Sequence, residues 1–421
     1  MVAALHRRLS RREHVRALSR PLTNNARELA SAANMPRMSL CLVGLDNLPV
    51  LAPEFRGPAI GGESVQQTLL GKALARRGHE VSMVTADHGQ EDAGVYGGIR
   101  VYRAYRPAAG VPLLRFVHPR CTGLWSALAR ADAQLYYTSC AGMHLGLMAL
   151  FCAQHDRRLV FRCASDSDCD PARLLIRYAR DRWLYGYGLR RADVILVQND
   201  AQAAALRRHF GLHGRLAGML VEPGPAAAAR DLDVLWVGNI RHVKRPDRLL
   251  ALAAQLPEAR IHMVGGPVAD EAALYERIRR EAASLPNLTF HGHRSYRDAS
   301  NLYGRARLLV NTSDVEGFPN AFLQAWIRGV PVVSFTDPDG VIRRRGLGEA
   351  VASAGAMRDA IHHLLRDAGA RDAAGQRCRA YLAREHAEER VLAPYLTAFA
   401  ELTADSRAAV RLPAAGEGPH V

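Results

Sequence analysis

The sequence lacks a hydrophobic run long enough to span a bilayer. Runs such as 144–153 are about ten residues long, well below the roughly 20 that a membrane-spanning helix needs. The Arg-rich start, residues 1–38, has eight arginines and two acids but no apolar stretch of the signal-peptide kind. With 421 residues, 48% of them hydrophobic, the chain has material for two globular domains. We expect a cytoplasmic protein, either soluble or peripheral on the inner face of the plasma membrane.

Cysteine patterns of the structural kind are also missing. The seven cysteines are scattered and include no C-x2-C pair, which argues against a disulfide framework and a zinc site. Cys163 and Cys169 bracket an acidic turn, 164–168, but two cysteines at that spacing are weak grounds for a metal. The chain contains neither G-x-G-x-x-G nor a loop ending in G-K-[ST], which disfavours an oxidoreductase and an NTPase. We therefore expect no bound metal and no resident cofactor.

Lysine is nearly absent, since only Lys72 and Lys244 occur among 56 basic residues. The formal charge of +15 is uneven, because residues 39–225 carry 22 basic and 16 acidic side chains and residues 226–421 carry 26 and 23. A basic front half suits nucleic acid, an anionic membrane surface or a phosphate-bearing acceptor. No nucleic-acid motif with interleaved aromatic residues is present, so we expect no nucleic-acid partner. An anionic membrane surface and a merely solvated Arg-rich surface both stay open.

Short apolar runs alternate with stretches of helical spacing along most of the chain. The first unit has a strand at 40–45, a long loop at 46–60, a helix at 65–77 and a strand at 79–85. Further strands are predicted at 134–137, 159–163, 194–198, 234–237, 261–264, 288–291, 306–311 and 330–335. Helices are predicted at 142–152, 173–190, 246–255, 271–283, 321–328, 357–366 and 385–402. This alternation predicts an α/β protein with two doubly wound, Rossmann-like halves.

A Pro/Gly break at 221–231 separates the two halves. We predict an N-terminal domain at 38–225 and a C-terminal domain at 226–402. A disordered or helical basic extension at 1–37 would precede them, and a flexible tail at 403–421 would follow.

The segment Ser313 to Pro331, S-D-V-E-G-F-P-N-A-F-L-Q-A-W-I-R-G-V-P, combines an acid, a glycine and a helix start after a strand. In open α/β sheets ligands bind beyond the carboxyl ends of the strands, and free N–H groups at a helix start suit phosphate or sugar oxygens. Glu316 and Gln324 flank this helix start. The pattern is typical of a sugar-nucleotide site.

Three further segments support that interpretation. Residues 234–247, V-L-W-V-G-N-I-R-H-V-K-R-P-D, run from a strand through a glycine turn to basic residues and a helix. Residues 61–64, G-G-E-S, open the first helix, where glycines allow a close approach of the backbone amides to a ligand. Residues 287–294, N-L-T-F-H-G-H-R, form a strand and turn.

Together these segments resemble the family 4 (group 1) retaining glycosyltransferases, which have the two-domain GT-B architecture. Residues 313–324 resemble the family's E-x7-E region, residues 238–244 its G-R-x4-K element, and residues 287–294 its N-v-x-F-x-G-x-v turn. The likeness covers about 40–402. It departs from the family pattern in three places. Gln324 stands where the family has its second acid, and Asn239 stands where the family has its Arg. No histidine of this chain matches the one that follows the family's strand corresponding to 159–163.

The resemblance implies a donor site in the C-terminal domain. Its residues would be Gly238, Asn239, Arg241, Lys244, His291, Glu316, Gly317, Phe318 and Gln324. Lys244, with Arg241 or Arg245, would neutralise the donor diphosphate, Glu316 would lie against the donor sugar, and amides around Gly317 and Phe318 would hold its hydroxyls. Gln324 would bind the ribose, since an amide keeps an acceptor oxygen and adds two donors. The backbone near His291 would lie beside the base.

On the acceptor side, the resemblance places the loop of Gly61, Gly62 and Glu63 toward the cleft. After the strand at 159–163, Asp166 and Asp168 are candidates to orient or deprotonate the acceptor hydroxyl, and turn or capping acids are the alternative. Of the two we favour Asp166. The catalytic candidates are thus Glu316, Lys244 and Asp166.

The resemblance implies a metal-independent hexosyltransferase type of enzyme. It would move a sugar from a nucleoside-diphosphate-sugar to a saccharide or lipid-linked acceptor with retention of configuration, in cell-surface polysaccharide or glycoconjugate synthesis. In this architecture a final helix crosses back to the first domain. A non-catalytic sugar-nucleotide or polysaccharide-binding subunit and a nucleotide-sugar epimerase of the same fold are the alternatives. The first is suggested by Asn239, Gln324 and the missing histidine.

Overall fold

The computed structural model describes residues 36–55, 61–112, 114–224 and 229–410. Its strands divide between two sheets. The first sheet contains β1 (Ser39–Val43), β2 (Glu80–Thr85), β3 (Gly94–Tyr96), β4 (Ile99–Arg103), β5 (Leu135–Ser139), β6 (Arg158–Arg162), β7 (Val194–Val197) and β8 (Arg215–Leu216). The second contains β9 (Leu232–Val237), β10 (Ile261–Val264), β11 (Leu288–Phe290), β12 (Ala306–Asn311), β13 (Val332–Ser334) and β14 (Gly348–Ala350).

Both sheets have the strand order of doubly wound folds. The first runs β3-β4-β2-β1-β5-β6-β7-β8 and the second β11-β10-β9-β12-β13-β14. The recorded pairs are parallel except for the β3–β4 hairpin. The predicted α/β class with two Rossmann-like parallel sheets is confirmed.

Helices connect and cover the strands. In the first half they are α1 (Leu48–Leu51), α2 (Gly62–Arg76), α3 (Thr122–Ala131), α4 (Met143–Gln154), α5 (Ala179–Leu189) and α6 (Asp200–Phe210). In the second half they are α7 (Pro246–Gln255), α8 (Ala272–Ala283), α9 (Tyr296–Arg305), α10 (Asn320–Ile327), α11 (Val341–Arg345), α12 (Ala354–Arg366) and α13 (Ala368–Glu385). The last described helix is α14 (Glu388–Val410).

Apolar side chains cover both faces of each sheet, as a doubly wound sheet requires. Strand β5, L-Y-Y-T-S, is buried at every position because helices lie on both of its faces. Helix α14 belongs to the core of the first half, where Leu392, Leu396 and Phe399 pack with Leu42 and Tyr137. The chain therefore crosses back after the second sheet.

Three predictions differ from the structure. The helix predicted at 173–190 begins only at Ala179, and Leu174 and Ile176 are buried in the irregular segment before it. The loop predicted at 46–60 contains the short helix α1. The tail predicted as flexible from 403 is helical to Val410, and the Thr403 hydroxyl donates to the Phe399 carbonyl at 3.0 Å.

Several predictions fall outside the described residues. These are the extension over 1–35, the domain boundary at 225–226 and the tail over 411–421, so the domain limits stay predictions. Among the described residues, no helix has both the length and the apolar character needed to cross a membrane.

Candidate active site

The carboxyl edge of the second sheet brings two of the predicted motifs together. Strands β9 and β12 are neighbours, so the segments that follow them, 238–244 and 312–319, lie side by side. The Lys244 Nζ lies 2.6 Å from the Glu316 Oε1. Backbone contacts fix this pairing, because the Asp314 N–H donates to the Val243 carbonyl at 2.9 Å and the Thr312 hydroxyl donates to the Lys244 carbonyl at 2.8 Å.

Glu316 is an ionised carboxylate in a nearly closed environment. Its side chain is 10% exposed, and its Oε1 also accepts from the Ser313 hydroxyl at 2.6 Å and the Asn311 amide at 3.2 Å. Burial alone would raise the pKa of Glu316, but the Lys244 ammonium and these hydrogen bonds outweigh burial and lower the pKa below its ordinary value. The site therefore holds a fixed negative charge directly beside its lysine.

The two candidate arginines have different partners. Arg245 pairs with Asp247 at 2.7 Å and lies 3.5 Å from Asp314, so its guanidinium is already engaged. Arg241 is half-exposed, and its nearest recorded carboxylate is Glu271 at 3.6 Å. Of the two arginines, Arg241 is the freer to meet an incoming anion.

Gln324 is buried between two side chains of the second half. Its Nε2 donates to the Tyr296 hydroxyl at 2.8 Å, and its Oε1 accepts from the Arg328 Nη1 at 2.9 Å. Since guanidinium groups only donate, the Arg328 contact fixes which end of the amide carries the oxygen. Both ends of the amide are thus engaged within the protein, and a ribose contact by Gln324 stays a prediction.

Gly317 and Phe318 meet the first half of the chain directly. The Phe318 N–H donates to the Gln198 Oε1 at 2.6 Å. A Cβ on residue 317 would lie 2.5 Å from that same oxygen and 2.9 Å from the Gln202 Nε2, so a larger residue here would require these two side-chain ends to move. In this arrangement the Phe318 N–H already donates to Gln198, although the sequence assigned this N–H to a sugar hydroxyl.

The glycine loop faces the start of α10. A Cβ on Gly62 would lie 2.3 Å from the Asn320 Nδ2, which donates to the Gly62 carbonyl at 2.6 Å. The Asn320 Oδ1 accepts from the Gln66 Nε2 at 2.6 Å. Gly61, by contrast, has open space around its Cβ position, so of the two glycines only Gly62 is closely approached by another side chain. The loop thus meets the second half at Asn320, and a position of its glycines beside bound substrates stays a prediction.

Glu63 follows these glycines and lies among polar groups of the first half. Its Oε1 accepts from the Gln67 amide at 2.8 Å and the Ser139 hydroxyl at 3.2 Å. Burial, with smaller contributions from Asp46 and Asp168, raises the pKa of Glu63 to about 8. At neutral pH Glu63 is therefore a protonated carboxyl that can donate a hydrogen bond.

Asp166 and Asp168 have different roles in their turn. The Asp168 Oδ2 accepts from the N–H groups of Ala164 and Ser165 at 2.8 and 3.2 Å, so it completes a capping box. Burial raises the pKa of Asp168 to about 6 despite these bonds. The Asp166 Oδ1 instead accepts from the Gln202 Nε2 at 3.0 Å, and burial raises the Asp166 pKa. Asp168 stabilises the turn, which leaves Asp166 as the candidate for chemistry.

His291 lies at the end of β11, and the ring of His262 stacks beside it. The two rings share a hydrogen bond of 2.9 Å between Nδ1 of His262 and Nε2 of His291, and burial lowers the pKa of both. Gly238 approaches a second glycine, because a Cβ on Gly265 would lie 2.2 Å from the Gly238 carbonyl oxygen. The half-exposed Asn239 follows Gly238 in the same turn.

Three residues at the cleft escaped the sequence analysis: Gln198, Gln202 and Asn320. Gln198 directly follows strand β7, so the rule that ligand-binding residues follow strand ends could have identified it. Its Nε2 also donates to the Ala164 carbonyl at 3.2 Å, which connects the Asp166 turn to the Phe318 loop. Within the described part of the chain, no group of three or more His, Cys, Asp or Glu side chains is arranged to hold a metal ion.

Two family models match the chain, one on each sheet. The model described as Glycosyl transferase 4-like domain matches residues 61–218, and the model described as Glycosyl transferases group 1 matches residues 231–367. The chain belongs to the group 1 glycosyltransferases, as its motifs predicted, and this is a family of transferases. Neither the epimerase nor the non-catalytic alternative is favoured by these matches.

Individual proteins give the same picture. The D-inositol 3-phosphate glycosyltransferase of Mycobacterium tuberculosis (strain H37Rv) is 31% identical over 248 residues, which are 51% of this chain and 50% of that protein. The chain thus spans about half the length of the curated relatives it matches. The sucrose-phosphate synthase of Thermosynechococcus elongatus has a TM-score of 0.70 at 20% identity, over 89% of this chain and 100% of that one.

A further structural match is Anabaena HepE in complex with UDP and glucose. It has a TM-score of 0.64 at 15% identity, over 88% of this chain and 100% of HepE. At such identities the likeness concerns the fold, and it confirms the predicted GT-B architecture.

Proposed function

We propose that this protein is a retaining glycosyltransferase that moves a sugar from a nucleoside-diphosphate-sugar to a hydroxyl of a saccharide or lipid-linked acceptor. The observation that carries this proposal is the Lys244–Glu316 pair, 2.6 Å apart at the carboxyl edge of the second sheet. A role in cell-surface polysaccharide or glycoconjugate synthesis belongs to the same proposal.

The pair suits the charges that develop as a glycosidic bond to a diphosphate breaks. The leaving diphosphate gains negative charge beside the Lys244 ammonium, and the half-exposed Arg241 supplies a second cation. As the ammonium turns to the diphosphate, the Glu316 carboxylate is left to face the positive charge on the sugar ring. These protein cations take the place of a metal ion in the proposed reaction.

The acceptor would enter from the first half. Asp166 is held by Gln202, and Gln198 connects its turn to the loop after Glu316. Asp166 would orient the attacking hydroxyl and accept its proton, while the protonated Glu63 would donate to an acceptor oxygen. Gln324 would reach the ribose once a nucleotide displaces its contact with Tyr296.

The test is turnover of a panel of radiolabelled nucleoside-diphosphate sugars with soluble saccharides and extracted lipid acceptors. We expect release of the nucleoside diphosphate and transfer of the label, with the donor's anomeric configuration kept in the product as read by NMR. Donor binding without transfer across the whole panel would contradict the proposal, and an inverted product would contradict retention alone.

The chain offers a matched control for Lys244, because Lys72 is its only other lysine. Lys244→Ala should lower turnover by about 100-fold to 1000-fold, the range for losing one group that stabilises transition-state charge. Lys72→Ala, on α2 away from the pair, should leave turnover within about twofold of wild type. Equal activities of the two variants would remove Lys244 from the mechanism.

A further inference from the structure

Two adjoining segments of the first half expose large apolar side chains: the described residues of 111–121, which are 111–112 and 114–121, and residues 171–191. We call them together the Arg-apolar surface. It holds six of the eight large hydrophobic side chains that are exposed in the described residues. They are Val111 (65% exposed), Leu114 (64%), Val117 (57%), Leu175 (64%), Tyr178 (51%) and Trp183 (66%).

Contacts join the two segments into one surface. The guanidinium carbon of Arg180 lies 3.3 Å from the ring centre of Phe116, which ties helix α5 to the first segment. On α5, Arg180, Trp183 and Tyr187 recur at the three- and four-residue spacing of one helix face. Trp183 and Tyr187 stack with ring centres 5.6 Å apart. Tyr185, on the opposite face, is buried, so α5 presents a mixed aromatic and cationic face outward.

The charge of this surface is strongly positive. The two segments contain eight arginines and a single acid, Asp181, which pairs with Arg180 at 2.8 Å. Beside Trp183 a cleft of about 500 Å³ opens between α5 and α6. It is lined in part by Arg182, Arg190, Arg191, Tyr187 and Phe210. The cleft therefore offers cations and aromatic rings to one small anionic group.

The combination of arginines and exposed apolar side chains favours one kind of binding partner over others. A second copy of the chain would bring the same arginines against these, and like charges disfavour such a contact. Nucleic acid would pair with the arginines but would leave the aliphatic side chains Val111, Leu114 and Leu175 without a partner. The interface of an anionic bilayer satisfies both sets, because arginines bind lipid phosphates while aliphatic and aromatic groups enter the acyl boundary.

We propose that the Arg-apolar surface docks this protein on an anionic lipid bilayer. The surface is attached to the candidate acceptor side, since residues 171–178 follow the Asp166–Cys169 turn after the single residue Asp170. In addition, the Tyr185 hydroxyl donates to the Asp168 carbonyl at 2.7 Å. Docking would thus hold the cleft between the two halves, where the acceptor would bind, close to the lipid. The proposal goes beyond sugar transfer, because binding to lipid requires neither donor nor acceptor.

The test is flotation of the full chain with vesicles of phosphatidylcholine, with and without phosphatidylglycerol as the minor component. We expect binding that requires phosphatidylglycerol. The double variant Arg177→Glu with Arg191→Glu should lower the partition coefficient by more than about tenfold, since each basic residue near an anionic surface is worth about fivefold. The double variant Leu175→Ser with Trp183→Ser should lower it by about tenfold through lost apolar burial.

The matched control is Arg280→Glu with Arg366→Glu, which makes the same change in net charge on exposed residues of the second half. This control should lower partitioning by less than about threefold. An equal loss in the control would mean that diffuse charge, not this surface, binds the lipid. Binding of duplex nucleic acid at physiological salt, lost in the same variants while vesicles are not bound, would overturn the proposal in favour of a nucleic-acid partner.

Trp183 provides a readout that survives if those double variants fold poorly. It is 66% exposed, whereas Trp236 and Trp326 are buried. Anionic vesicles should shift the tryptophan emission of the wild type to shorter wavelength, and Trp183→Phe should bind equally well without that shift. Wild-type protein that neither floats nor changes its emission would refute the docking surface, whatever the outcome of the sugar-transfer assays.

Discussion

Two glutamates at the cleft differ in protonation because of their neighbours. Glu316 and Glu63 are both largely removed from water, which by itself raises the pKa of a carboxyl group. Lys244 reverses the shift at Glu316, whereas Glu63 has amide and hydroxyl partners and further acids nearby. The same residue type therefore supplies a fixed charge on one side of the cleft and a proton donor on the other.

The raised pKa of Glu63 predicts a pH-dependent cost to stability. Its pKa moves from the ordinary 4.5 to about 8, so the folded state binds this proton more tightly than the unfolded state. The contribution of this bound proton to the free energy of unfolding is fully present below about pH 4.5 and is lost as the pH rises through about 8. Glu63→Gln removes the titration. The thermal midpoint of this variant minus that of the wild type should therefore increase as the pH rises across this window.

The measurement is the unfolding midpoint of both proteins at intervals from about pH 5 to about pH 9. Glu54→Gln, at an exposed glutamate of the same half, is the control and should track the wild type throughout. A constant difference between Glu63→Gln and the wild type over the whole range would show that Glu63 titrates normally.

At the scale of helices and strands, the sequence predicted several elements of the second half closely but missed helices α9, α11 and α13 and strand β14. Helix α7 and strands β10 and β12 have the predicted bounds, because Pro246 marks a helix start and the apolar runs end sharply. The first half was harder, since residues 173–178 have helical composition but extend along the surface to bury Leu174 and Ile176. The β3–β4 hairpin was missed because its strands are short and half-exposed.

The candidate site also contains some contacts that the sequence could predict and others that it could not. The proximity of Lys244 and Glu316 could be predicted, because both segments follow strands of one sheet and parallel strands end at one edge. The contacts of Gln198 and Asn320 could not, since they depend on how the two halves meet, which no local pattern encodes. Asp166 was preferred over Asp168 on sequence, and the capping bonds of Asp168 give that preference a physical reason.

The start of helix α10 provides a prediction at this scale. Asn320 donates to the Gly62 carbonyl and accepts from Gln66, so its side chain joins the two halves at the cleft. Asn320→Ala should lower the free energy of unfolding by about 1 kcal/mol for the lost hydrogen bonds. It should lower kcat/KM by about tenfold, because a cleft that closes less firmly positions donor and acceptor less well.

Steady-state kinetics and thermal unfolding of the same preparation separate the two effects. Asn301→Ala, at an exposed asparagine of helix α9, is the control and should change neither quantity. A destabilised Asn320→Ala with unchanged kcat and KM would limit Asn320 to a structural role.

For the whole molecule, we expect helix α14 to couple the unfolding of the two halves. It follows the second sheet in the chain but packs in the first core, where the Phe399 ring lies edge-on to Tyr137 with centres 6.4 Å apart. Tyr395 reinforces the attachment, because its hydroxyl donates to the Gly218 carbonyl at 3.0 Å just before the chain enters the second half. A defect in this helix should therefore reach both halves.

Phe399→Ala should lower the free energy of unfolding by about 3 to 5 kcal/mol, since Phe399 is fully buried. Tryptophan fluorescence can follow each half separately, because Trp125 and Trp183 lie in the first half and Trp236 and Trp326 in the second. Each pair is followed in a protein whose other two tryptophans are replaced by Phe. In both proteins Phe399→Ala should lower the unfolding midpoint, and the two lowered midpoints should agree. Glu389→Ala, at an exposed position of α14, should shift neither midpoint measurably. If Phe399→Ala lowered the midpoint of the first half alone, α14 would stabilise its own core without coupling the two halves, and donor binding in the second half would then leave the stability of the first unchanged.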